Sequence, residues 1–204
     1  RDAWERHLAA DAIVVPKMAR IYAQVVEGGH YINNIHGPIH GPSNVALRTS
    51  GSDKDVFLGS AGGILLPIHA ESLFKCNNSL FKLGEAPGDK DTKSYSTALS
   101  ESAMVMDFDF TSKELIPPPE GRTREVDLTC IKSGLGQAVL FWWELDLGDG
   151  QIYSTQEGKA PWQDHWQQCL YVFGPTTNDT LPLTEGENFT LIAKHDDTSI
   201  SFDL

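Results

Sequence analysis

Apolar and polar residues alternate along much of the second half of this chain. Val139, Phe141, Trp143, Leu145 and Leu147 fall on one side of an extended segment, with Glu144 and Asp146 on the other. This predicts a half-buried strand. Gly148-Asp149-Gly150 follows as a tight turn, with a return through Ile152 and Tyr153. The same two-residue period recurs at Met104, Met106, Phe108 and Phe110, at Val126, Leu128 and Cys130, at Phe189, Leu191 and Ala193, and at Ile200, Phe202 and Leu204. Strands with polar outer faces and no long helix between them predict a mainly β fold, an antiparallel barrel or sandwich.

The N-terminal text is different. Trp4, Leu8 and Ala9 have helical spacing over Asp2 to Ala10, the run Ala12-Ile13-Val14-Val15-Pro16 reads as a buried strand stopped by proline, and Met18 to Glu27 reads as another strand. Helix, strand, strand is how an open α/β sheet often finishes. The chain begins without Met inside that helix, which suggests a piece of something longer. From His30 to about Thr97 Gly, Pro, Asn and Ser dominate: His36-Gly37-Pro38-Ile39-His40-Gly41-Pro42 reads as an irregular loop, and short apolar pieces between Leu65 and Leu83 read as a small helix or arm. Pro117-Pro118-Pro119 is a stiff connector.

Composition narrows the classes. A length of 204 residues, 40% hydrophobic and 22% charged, suits one packed soluble domain, alone or with part of another. The net charge of −12 opposes phosphate contacts, so nucleic acid is not expected, and cationic partners are favoured. No run approaches the ~18 apolar residues of a membrane helix, and the first residues lack a signal peptide's apolar core. Cys76, Cys130 and Cys169 are odd in number and widely spaced, as expected of reduced thiols inside a cell. On that view the sequons at Asn77, Asn178 and Asn188 are chance matches.

The text between Val139 and Phe173 is broken by the polar insert Asp164-His165-Trp166-Gln167-Gln168. A carboxylate, an imidazole, an indole and an amide stand within five residues there. If the segment is extended, Asp164, Trp166 and Gln168 share one face and His165 the other, and only a loop brings all four to one ligand. The residues alone allow ordinary core packing of Trp166 or a rim that holds a cationic or planar group. His195-Asp196-Asp197 reads first as a turn, and as part of a metal or acid/base site with His165 second. Gly134-Leu135-Gly136 lacks the third glycine of a phosphate loop, and no GxSxG elbow is present.

Three blocks resemble the C-terminal barrel of the protein arginine methyltransferases. They are Trp142-Trp143-Glu144-Leu145-Asp146-Leu147, then Trp162-Gln163-Asp164-His165-Trp166-Gln167-Gln168-Cys169-Leu170-Tyr171, then His195-Asp196-Asp197-Thr198-Ser199-Ile200-Ser201-Phe202. They are most similar to the type III, monomethylating branch, number seven. Asp11 to Glu27 and Leu99 to Phe110 add collinear matches, whereas Gly28 to Ala98 matches poorly apart from Pro67 to Phe74. The resemblance implies residues 1–28 as the end of a Rossmann-like methyltransferase domain and residues 29–204 as a β-barrel substrate domain, with an arm insertion around 70–98 that docks a second catalytic module or subunit. It places His165 and Trp166 at the family's His and Trp positions against the substrate arginine. Asp164 stands where the usual Thr would be, and with Gln168 it is expected to add polar contacts. The family's cofactor, S-adenosylmethionine, and its paired glutamates use motifs this chain lacks, so the fragment alone is expected to be inactive and to bind no cofactor. Arg-rich protein substrates and a cytoplasmic or nuclear setting follow from the same resemblance. The rival from another class is a stand-alone peptide- or ligand-binding module with Trp142, Trp162 and Trp166 as its platform.

Overall fold

A computed structural model describes residues 2–27, 64–68, 97–156, 168–173 and 181–204. After the short helix α1 (Asp2–Arg6) come twelve strands: β1 (Met18–Glu27), β2 (Ile64–Ile68), β3 (Thr97–Ala98), β4 (Ala103–Asp109), β5 (Arg122–Thr129), β6 (Gly134–Gly136), β7 (Ala138–Gly148), β8 (Gln151–Ser154), β9 (Gln168–Val172), β10 (Leu181–Leu183), β11 (Asn188–His195) and β12 (Ile200–Asp203). The protein is mainly β, and every described strand pairing is antiparallel, as the alternation predicts.

A seven-stranded sheet runs β2-β9-β7-β1-β3, with β4 also on β1 and β8 also on β7; a three-stranded sheet runs β12-β11-β5, and β6 pairs with β10. The two larger sheets share one core. Ala23, Val25, Val139, Phe141, Tyr171 and Phe173 from the large sheet meet Leu128, Leu191, Ala193 and Phe202 from the small one. Phe202 packs at 5.2 Å from Phe141 and 5.5 Å from Tyr171, at the tilted and edge-on angles that aromatic quadrupoles favour. At one end the sheets are tied by a bridge between Ser100 and Cys130.

Ser100 itself is buried and saturated. Its hydroxyl accepts the Val25 amide at 3.0 Å, and its carbonyl accepts the Gln24 side chain at 2.7 Å. Backbone groups at the end of β1 that have left the ladder are thereby satisfied.

Three expectations need correction. The run Ala12 to Val15 is not a buried strand: Ile13 is 86% exposed and Val15 59%, and no described strand pairs with them. An apolar run becomes a buried strand only where neighbours cover both faces, and none of the described elements does so here. Met18–Glu27, expected as the end of an α/β sheet, is instead paired along its whole length with β7 and over its first half with β4. It is a central strand of the β-domain. The stretch from Leu65 to Leu83, expected as a small helix or arm, begins as the strand β2 at the end of the described sheet, where Pro67 is tolerated; residues 69–83, with most of the apolar pieces, lie outside the described residues. Much of the arm proposed at 70–98 lies outside the described residues.

Candidate functional site

The polar insert is framed by β7. One edge of that strand is occupied by β1 from Ala138 to Asp146, and the other is shared by β8 and β9. Both run antiparallel to β7: Glu144 faces Ser154, and one position beyond Trp142 the ladder has resumed with Phe141 facing Cys169. β8 and β9 are therefore collinear along this edge, on either side of residues 157–167, which lie outside the described residues. Of the residues predicted to form the site, Asp164, His165 and Trp166 fall in that interval, as does Trp162. Thr155 and Gln168 are the feet on its two sides.

Both feet are held firmly. Thr155 is fully buried; its amide donates to the Trp143 carbonyl at 2.9 Å, and its hydroxyl is within hydrogen-bond reach of both the amide and the carbonyl of Trp143 at 3.1 and 3.2 Å. Gln168 is 3% exposed and opens β9 opposite Ile68. By strand parity it leaves the sheet on the side away from the shared core, together with Leu170 and Val172, while Cys169 and Tyr171 face inward. Trp142 lies on that same outer side, one position past the Phe141–Cys169 pair, and stacks on Tyr22 at 6.1 Å and 12°. The Trp142 indole is 4% exposed, and its Nε1–H has no acceptor among the described residues. The outer face beside Gln168 thus holds two stacked rings and a free donor. Tyr22 was not singled out by sequence, because its place beside Trp142 depends on the β1–β7 register.

Burial raises the Cys169 thiol and the Tyr171 hydroxyl above their ordinary ranges, which keeps both protonated at neutral pH. Neither is a nucleophile. At the other end of the molecule, Asp196 is committed to its turn: its Oδ1 accepts the amides of Thr198 and Ser199, each at 2.8 Å, and both their hydroxyls. Those bonds hold its carboxyl down at about 2. The turn reading of His195-Asp196-Asp197 holds, and no described group of His, Cys, Asp and Glu is arranged to hold a metal ion.

The one near-match to a glycine-rich loop, Gly134-Leu135-Gly136, is the strand β6, and a side chain at Gly134 would meet Glu27 and Leu99 at 2.8 Å. The glycine there admits packing neighbours, not a cofactor's backbone approach.

These features define an antiparallel β-domain. A chain from an enzyme-prozyme complex titled as PRMT1 of Trypanosoma brucei with AdoHcy shares this fold, with a TM-score of 0.55 over 94% of this chain, 50% of that one and 13% identity. In sequence the chain is similar to protein arginine N-methyltransferase 7 of Aedes aegypti, 28% identical over 94% of its length, and of Cricetulus longicaudatus, 26% over 98%. The Xenopus laevis protein of that name is 34% identical over 52% of the chain. By sequence, then, the chain is similar to the protein arginine methyltransferases, and to the branch numbered seven. It spans 28%, 27% and 16% of the length of those three relatives. No family model matches it.

Proposed function

We propose that this chain forms the substrate-facing wall of an arginine methyltransferase that moves a methyl group from S-adenosylmethionine to a guanidinium nitrogen of protein substrates, stopping at monomethylarginine. The observation that carries this reading is similarity to the branch-seven enzymes along nearly the whole chain, polar insert included. In-line displacement at a guanidinium depends on holding that planar cation in one orientation in a dry site. On this reading His165 and Trp166 shape the arginine pocket, Asp164 places a carboxylate beside the cation, and Gln168 fixes the loop's foot and its polar rim. The net charge of −12 supports Arg-rich tails as substrates. The arm around 70–98 docks a second catalytic module, and the enzyme works in the cytoplasm or nucleus.

The test replaces the corresponding segment of the Aedes aegypti relative with this chain. Methyl transfer from labelled S-adenosylmethionine to an Arg-rich peptide is then measured, with amino-acid analysis of the product. His165→Ala and Trp166→Ala should each lower kcat/KM by about a hundredfold, the scale of a misplaced substrate. Unchanged values in both variants would refute the loop's role, and dimethylarginine would refute the monomethylating assignment. Titration calorimetry of the chain alone with S-adenosylmethionine should show no binding; micromolar binding would overturn the division of labour.

A further inference from the structure

Strand β8 ends on two buried hydroxyls, Ser154 and Thr155, and each is committed to backbone close by. In an antiparallel ladder the residue opposite Trp143 would give its amide to the Trp143 carbonyl and take the Trp143 amide on its own carbonyl. Counting on from the Glu144–Ser154 pair, that residue is Thr155. Its amide makes the expected bond at 2.9 Å, but here the side chain takes part as well: the Thr155 hydroxyl accepts the Trp143 amide at 3.1 Å and donates to the Trp143 carbonyl at 3.2 Å. A side-chain oxygen in the acceptor's place lets a chain change direction without leaving an open ladder behind it.

The change of direction follows at once. The Gln156 amide donates back to the Ser154 hydroxyl at 3.1 Å, and the backbone bends at Gln156. The Thr155 bonds refer this bend to β7, whose other edge is held by β1, and the Tyr153 ring braces Trp143 at 5.7 Å. The chain therefore enters residues 157–167 from a point fixed against the centre of the sheet. A segment anchored to a rigid scaffold carries its side chains where the anchor aims them, and a displacement of about 1 Å at a reacting group costs on the order of a hundredfold in rate.

We propose that Thr155, backed by Ser154, is a positioning residue for arginine recognition. Its hydroxyl sets the point and direction at which the chain enters residues 157–167, and through them the placing of His165 and Trp166. This role rests on the reading of the chain as a substrate-facing wall. Being fully buried, Thr155 itself touches no substrate.

The first arm of the test follows the tryptophan indole and histidine ring resonances of the whole chain. Thr155→Val keeps the branched shape and removes the hydroxyl, so it should shift the Trp166 and His165 signals, and Thr155→Ser should leave both at their wild-type positions. The Trp4 indole, which donates to the Phe110 carbonyl at 3.0 Å, should stay unmoved in both and marks an intact fold. The second arm uses the Aedes aegypti enzyme carrying this chain in place of its own segment. Thr155→Val should raise KM for the arginine peptide about tenfold and leave KM for S-adenosylmethionine within about twofold, and Thr155→Ser should restore the wild-type value. A loss of folded enzyme alone would lower kcat and move neither KM. Should Thr155→Val fail to fold, Ser154→Ala, which removes only the bond from Gln156, takes its place with the same readings. Unmoved Trp166 and His165 signals, an unchanged peptide KM, or Thr155→Ser behaving like Thr155→Val would each overturn the proposal. If His165→Ala and Trp166→Ala are themselves without effect, the substrate-wall reading fails and this proposal with it; if they act and Thr155→Val does not, the role of Thr155 alone falls.

Discussion

Gly121 and Gly150 both have positive φ, +74° and +76°, yet a methyl group would cost very different amounts at the two. At Gly150, in the turn between β7 and β8, the space is open, so alanine adds only backbone strain of roughly 1–2 kcal/mol. At Gly121 the same carbon would sit 1.6 Å from the carbonyl oxygen of His195. Backbone must move there, and Gly121→Ala should destabilise by roughly 3 kcal/mol or more by chemical denaturation, with Gly150→Ala well below it. Equal losses would mean that strand β11 yields freely. Asp196 supplies a pH signature. Its carboxyl is lowered from 3.8 to about 2, so the ionised form favours the fold. That contribution is complete above the unfolded value and is lost as the pH falls through about 2. Carboxyl NMR should place the midpoint near 2, and Asp196→Asn should flatten the acid limb of the stability curve between those values. A midpoint near 3.8 would remove the turn's bonds from solution.

The alternation along β4 misled at one residue. It put Val105 on the polar face, yet Val105 and its neighbour Met106 are both fully buried in the core. The ladder explains this: Ile21 faces Met106 while Tyr22 faces Met104, so Val105 is the extra residue of a bulge. A bulge breaks the period of two without any mark in composition. Val105→Asp, harmless on an outward face, should instead unfold the protein or cost more than about 3 kcal/mol, read from the loss of the cooperative transition. A cost under about 0.5 kcal/mol would mean that the bulge is absent. The first half of β7 was legible only on one side. Val139 and Phe141 face the core as expected, but Leu140 and Trp142 are equally buried on the opposite face. The outer face of a central strand is decided by what is packed over it, which alternation does not report. Where one face alone is covered, as along β11 and β12, the pattern and the structure agree residue by residue.

For the molecule as a whole, the mainly β fold was written in the repeated period of two, and the turn after β7 in Asp149 and Gly150, both of which have positive φ. What could not be read was the partnership of distant segments. Met18–Glu27 looks like an α/β strand by itself, and only pairing with β7 and β4 makes it part of the β-domain. The same holds for the site: His165 and Trp166 stood out by type, whereas Tyr22 and Trp142 became neighbours only through register. The line formed by β8 and β9 has one more consequence. Because Ser154 faces Glu144 and Cys169 faces Phe141, those two residues stand about 10 Å apart along the strand line, with Thr155 and Gln168 between them. Each of β8 and β9 takes its register from β7, so the sequence of residues 157–167 does not set it. Replacing residues 157–167 with three glycines should leave the unfolding midpoint nearly unchanged, since closure entropy varies only slowly with length. If residues 157–167 carry arginine recognition as proposed, specificity could be rewritten there without disturbing the pairing on either side.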